Sequence, residues 1–163
     1  AALCGPAPAG PTMSQTDSLA ALAAHLRSIP QVRAMQVDIA GVAGDAVRRA
    51  VPLPPTAHAR GSAFGGSLVS LMTLAGWGLA TLRLAEAGLK AEVYVADSQV
   101  RYLAPLEADL HAEAWLEEGD WDTFVATFRQ RGRARCRIAA CVRLPGGGEA
   151  TVFSGRFVAL APG

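Results

Sequence analysis

From Gly61 to Leu82 the chain carries no charged residue. Phe64, Leu68, Leu71, Met72, Ala75, Leu79 and Leu82 recur at helical spacing, and Leu74, Trp77 and Leu84 extend the apolar surface around the helix. A helix apolar on nearly every side is either the core of a domain or a membrane span. The run holds Gly61, Gly65, Gly66, Gly76 and Gly78 beside Ser62, Ser67, Ser70, Thr73 and Thr81, and no second span exists in the chain. That composition favours a buried central helix over a membrane segment.

The start of this helix is its most unusual part. Gly61-Ser62-Ala63-Phe64-Gly65-Gly66-Ser67 leads into it. Two adjacent glycines let the main chain come close to a ligand, because no Cβ intervenes. The first amides of a helix have no partner inside it and point at whatever lies ahead. Such a start can hold a carbonyl oxygen that becomes an oxyanion, with the Gly66 amide as donor and Gly65, Phe64 and Ser67 around it. Simple helix packing is the competing explanation, although packing does not require a Gly-Gly start.

At 163 residues the chain suits one domain with a sizeable core: residues 1–15 read as a flexible N-terminal tail and 16–163 as the domain. Apolar residues make up 51% and charged residues 18%, which excludes disorder over most of the length. A net charge of +1 gives no general attraction to nucleic acid, and Lys90 is the sole lysine. Cys4, Cys136 and Cys141 are odd in number and lack metal-ligand spacing, which suits a reducing cytoplasm and predicts no metal.

Asp17 or Ser18 is placed to cap a short helix carrying Leu19, Leu22 and Leu26, which Pro30 stops. Residues 34–53 read as two strands around Gly41 and Gly44; Pro52, Pro54 and Pro55 then open a loop through Arg60. The long helix runs to about Glu86, with Gly88 as its C-cap. A strand from Ala91 to Leu103 puts Tyr94, Ala96, Ser98, Val100 and Tyr102 on one face and Val93, Val95, Asp97, Gln99 and Arg101 on the other. A strand over 109–117, a helix capped by Asp120 and ended by Gly132, and two strands joined at Gly146-Gly147-Gly148 complete the chain. The sum is an α+β domain, an antiparallel sheet with one long central helix.

Pro52-Leu53, the Gly61–Leu68 segment, Gly76-Trp77-Gly78-Leu79, Ala96-Asp97-Ser98, Arg101-Tyr102-Leu103-Ala104-Pro105, Arg131–Arg135 and Phe153–Val158, in that order, resemble the hotdog-fold thioesterase family of the YiiD C-terminal type. That domain occurs alone or fused to acetyltransferases, and the resemblance covers about residues 29–160. It implies a sheet wrapped around the central helix, a homodimer joined edge to edge with tetramers left open, and an acyl thioester bound at the dimer interface near the helix start. Gly76 and Gly78 each cost a helix about 1 kcal/mol relative to Ala. Close approach of another backbone would account for them, as would packing.

Thioester hydrolysis needs an oxyanion donor and a way to deliver water. In related thioesterases a carboxylate commonly lies two turns after the Gly-Gly; here that place is Thr73, which can only orient water or pack. The family's loop asparagines are replaced by Thr56-Ala57-His58-Ala59-Arg60. His58 titrates near neutrality, and Asp97, a carboxylate inside a strand, needs a partner if buried. Both are candidate bases, with solvation of His58 and pairing of Asp97 to Arg101 or a helix end as the plain alternatives. Ser98 and Ser67 are hydrogen-bonding candidates without the company of a serine triad. Arg60, Arg133 and Arg135, with Arg131 and Arg137, are candidates for carrier phosphates, or else a solvated strand face. The expected activity is hydrolysis of an acyl-CoA or acyl-carrier thioester, with coenzyme A as part of the substrate and no other cofactor. A non-catalytic acyl-thioester binding module is the alternative.

Overall fold

The computed structural model describes residues 14–43, 46–51 and 61–163. Helix α1 spans Gln15–Ser28, and α2 spans Pro30–Ala34. The cap of α1 is Ser14, not Asp17 or Ser18: its hydroxyl oxygen accepts the Asp17 amide. The segment expected to be tail therefore enters the helix by Gln15. Pro30 ends one helix and begins the next, because a missing N–H costs nothing at a first helical position.

Six strands form one antiparallel sheet: β1 Asp38–Ala43, β2 Ala46–Val51, β3 Glu92–Tyr102, β4 Leu110–Glu118, β5 Arg133–Arg143 and β6 Glu149–Leu160. Their order across the sheet is β1-β2-β4-β5-β6-β3, so among the described residues β3 is an edge strand hydrogen-bonded only to β6. The long helix α3, Gly65–Glu86, lies against the sheet and touches β2, β3, β4, β5 and β6. Leu71, Met72, Ala75, Leu79 and Ala80 on it are fully buried. It is apolar and long enough to cross a membrane, yet it is the core around which the sheet wraps. Gly88, at φ 73°, closes it in the left-handed conformation, with the Leu89 amide donating to Leu84.

Helix α4, Trp121–Arg131, follows the pattern read from the chain: the Asp120 carboxylate accepts the Thr123 amide, and Gly132 ends it at φ 65°. That bond holds the Asp120 carboxyl below its ordinary range. Phe124 and Phe128 anchor α4 against β5. On the far side of α3, Leu22 and Leu26 of α1 and Val32 of α2 form a smaller cluster with Leu74 and Trp77.

Two expectations change. Phe64 was placed on the apolar stripe but is the N-cap of α3 and 57% exposed. The strict alternation expected along β3 fails at Ala96, where the register against β6 slips by one residue. A bulge reverses the faces of everything before it. Val93 and Val100, an odd number of residues apart, therefore both pack on the core, and Tyr94 is turned to the outer face.

The close approach that justifies Gly76 is made by a side chain of the same chain. A Cβ there would lie 2.7 Å from the Phe157 ring.

Cys136 is buried enough that its thiol is pushed up to about 12, and burial raises Cys141 as well. A raised thiol is neutral in the fold where the unfolded chain would ionise. Its stabilising contribution is complete below the ordinary pKa of 9.0 and is lost as pH climbs from there toward about 12. Both thiols should resist a thiol reagent in the native protein at neutral pH and react on denaturation. Rapid native labelling of Cys136 or Cys141, read by peptide mapping, would contradict their burial.

Candidate functional site

The start of α3 is open. Phe64 offers no side-chain cap, and the first turn holds no acidic residue. The Ser67 and Leu68 amides both donate to the Phe64 carbonyl, at 2.9 and 3.1 Å. Among the described residues that leaves the amides of Gly65 and Gly66 as the uncapped donors of the helix, carrying its partial positive charge. Gly66 is exposed and Gly65 half-buried, so both can be reached.

What surrounds these amides is set by the end of β3. The Tyr102 hydroxyl donates to the Gly65 carbonyl at 3.2 Å, and a Cβ on Gly65 would lie 3.3 Å from the Tyr102 ring. The Tyr102 ring thus lies tightly over the main chain at Gly65, closer than a Cβ there would comfortably allow. Tyr102 and Phe64 are both 57% exposed, and Leu103 is exposed beside them. Two exposed aromatic rings lie beside a polar donor pair, which suits a ligand with a carbonyl at the head of an apolar body. The segment leading in is fixed from below, since the Ala63 amide donates to the Leu106 carbonyl at 2.7 Å.

Tyr102 was read as part of a strand face and not as a site residue. Only the arrival of β3 at the helix start reveals its role. A signal existed in the chain: a tyrosine three residues before the Pro105 break sits near a strand end, where loops and sites gather.

The other expected residues are dispersed. Asp97 pairs in register with Arg156, and its carboxylate accepts a hydrogen bond from that guanidinium. Gly155 and Phe157, the neighbours of Arg156, face the core, so Asp97 and Arg156 lie on the outer face of the sheet, turned from α3. The alternative pairing with Arg101 is not made. Ser98, opposite the buried Gly155, shares the helix side with Val100 and Tyr102. Ser67 is half-buried in the first turn of α3; in the next turn the Ser70 hydroxyl donates to the Gly66 carbonyl at 2.8 Å. Thr73 is half-buried, about 10 Å along the helix axis from Gly66. His58 and Arg60 lie outside the described residues.

Arg131, Arg133 and Arg135 are exposed and line a cavity of about 450 Å³ with Thr127, Val158 and Leu160, at the α4–β5 junction. None of the three makes an ion pair among the described residues. Among those residues no His, Cys, Asp or Glu cluster could hold a metal.

With this arrangement in view, the relatives of the chain can be placed. The model of a family described as "Putative thioesterase (yiiD_Cterm)" matches residues 19–161. Among solved structures, a protein of unknown function from Chlorobaculum tepidum superposes with a TM-score of 0.86 at 22% identity, over 93% of this chain and 99% of that one. A "putative thioesterase" from Shewanella oneidensis gives 0.80 at 24% identity, over 90% and 99% of the two chains. A thioesterase from Haemophilus influenzae gives 0.67 at 16%, over 93% of each. At such identities these likenesses establish a shared fold, the hotdog architecture of a sheet around a central helix.

Proposed function

The chain belongs to the thioesterase family of the YiiD C-terminal type, and from that premise we propose that it hydrolyses an acyl thioester held with its carbonyl against the start of α3. The observation that carries this reading is the uncapped Gly65-Gly66 amide pair, flanked by the Tyr102 hydroxyl and by exposed aromatic rings. As water attacks the carbonyl carbon, the oxygen gains negative charge, and a preorganised amide strengthens its hydrogen bond there. The Gly66 amide is the donor of this reading and Gly65 its neighbour. The exposed rings of Phe64 and Tyr102 receive the acyl chain.

Coenzyme A or an acyl carrier supplies the thiol as part of the substrate, and no resident cofactor is needed. Arg133 and Arg135, with Arg131, suit the phosphates of such a carrier. The edge strand β3 spans eleven residues and has only β6 beside it among the described residues, while Val95 and Tyr102 remain exposed along it and Leu103 just beyond its end. A second copy joining sheets at that edge would satisfy its free backbone groups and cover those side chains. Free buried thiols suit the reducing cytoplasm.

Asp97 faces away from the helix and is engaged by Arg156, and Thr73 has no basic group. His58, which precedes the helix in the chain, is the base this reading retains. Asp97→Asn should therefore cost less than about tenfold in turnover, whereas His58→Gln should cost about a hundredfold and remove the pH dependence near neutrality. The opposite ranking would return the reaction to Asp97.

The decisive experiment is thiol release from a panel of acyl-CoAs, from short to long and aromatic. Turnover of one class establishes the hydrolase. Saturable binding without release favours a binding module, a reading that the missing carboxylate at Thr73 supports.

A further inference from the structure

A second cavity, of about 230 Å³, lies between α1 and α3. Leu22, Leu82 and Ala85 make its apolar wall, and Trp77 closes one side with His25 stacked on its indole at 5.5 Å. Trp77 is about 16 Å along the helix axis from Gly66, so this is not the thioester site. The remaining lining residue of note is Ser18, which is 2% exposed and whose Oγ has no partner.

A helical hydroxyl can be satisfied within its own helix. Ser70, Thr81 and Thr127 sit in helices too, and each donates to the carbonyl four residues back, at 2.7–2.8 Å. Ser18 does not make this bond. A buried polar atom without a partner is rare in native proteins, and an occupant of the cavity would relieve it. The other hydroxyl of the lining, Thr81, has already given its proton to the Trp77 carbonyl. Ser18 on the buried side and His25 at the mouth are the groups left to donate.

We propose that this cavity binds a small monoaromatic carbonyl compound, its ring against Trp77 and the apolar wall and its carbonyl oxygen accepting the Ser18 hydroxyl. The ring fits the volume: a cavity of roughly 150 Å³ takes benzene, which leaves room here for one carbonyl substituent. The acceptor fits the chemistry, since the unpartnered group can donate. This site stands independently of the thioesterase reading.

The test is a titration of the full chain with benzamide and benzoate, with toluene as the probe lacking an acceptor. It is followed by the NMR signal of the Trp77 indole N–H, whose bond to the Val93 carbonyl at 2.9 Å gives it a distinct position. Saturable shifts are expected, tighter for the carbonyl probes than for toluene. Ser18→Ala should erase that preference, about five- to tenfold, while leaving toluene unchanged. Ala85→Leu should abolish binding by filling the cavity; should it misfold, Ala21→Leu at the exposed mouth blocks the same space. Gly66→Val should bind the probes as the native chain does. Absence of saturable shifts, no preference for a carbonyl, or binding undiminished in both filled variants would each overturn the proposal.

Discussion

Gly66→Val is expected to lower turnover of the best acyl thioester by roughly 10²–10³-fold, the loss typical of removing one oxyanion donor. The added side chain does not delete the amide; it stands where the carbonyl must approach. A Cβ at Gly66 would lie 2.7 Å from the edge of the Phe64 ring, at Cε1. That ring is exposed and can swing away, so the fold should survive and the effect should appear in kcat rather than in stability. Turnover within a few-fold of the native chain, with the variant folded, would move the reaction away from the helix start. Tyr102→Phe is the gentler companion. It removes the hydroxyl that donates to the Gly65 carbonyl but keeps the ring. A loss of roughly two- to tenfold is expected, since one neutral hydrogen bond contributes about 0.5–1.5 kcal/mol.

The largest effect on stability is expected from Phe157→Ala, at about 3–5 kcal/mol. Phe157 is fully buried, and its ring occupies the space that Gly76 leaves empty on α3. Gly76→Ala should also destabilise, by about 1–3 kcal/mol, even though alanine is the better helix former by about 1 kcal/mol. The reason is steric: the new Cβ would lie 2.7 Å from one ring carbon of Phe157 and 2.9 Å from another. The two positions are coupled, so Phe157→Leu should relieve part of the cost of Gly76→Ala. Additive losses in chemical denaturation would show that the contact does not govern Gly76.

Gly76 also shows how far local reading extends. Its cost to the helix is legible in the chain, and so is the need for some close neighbour. Which neighbour is not legible, because Phe157 lies on the last strand, and its register against β3 and β5 is fixed by sheet pairing. Asp97 is a second case. As a carboxylate inside a strand it invited a functional reading, and its face looked certain from alternation alone. The bulge at Ala96 reverses Tyr94, Val93 and Val95, but Asp97 stays on the side of Gln99 and Arg101. Its partner is Arg156, contributed by the neighbouring strand and not by the next turn of its own. An exposed pair of this kind contributes about 0.2–1 kcal/mol, so the position is explained without catalysis.

The helix itself, its Gly-Gly start, the αL ends at Gly88 and Gly132 and the Asp120 cap follow from residue types and spacings, because each is decided within a few neighbours by steric and hydrogen-bonding rules. The order of strands, the edge position of β3 and the meeting of Tyr102 with Gly65 were decided only in three dimensions. Local rules determine which backbone groups a segment leaves unsatisfied. Which distant side chain comes to meet them depends on how the whole sheet closes around α3, and that is a property of packing the entire chain at once.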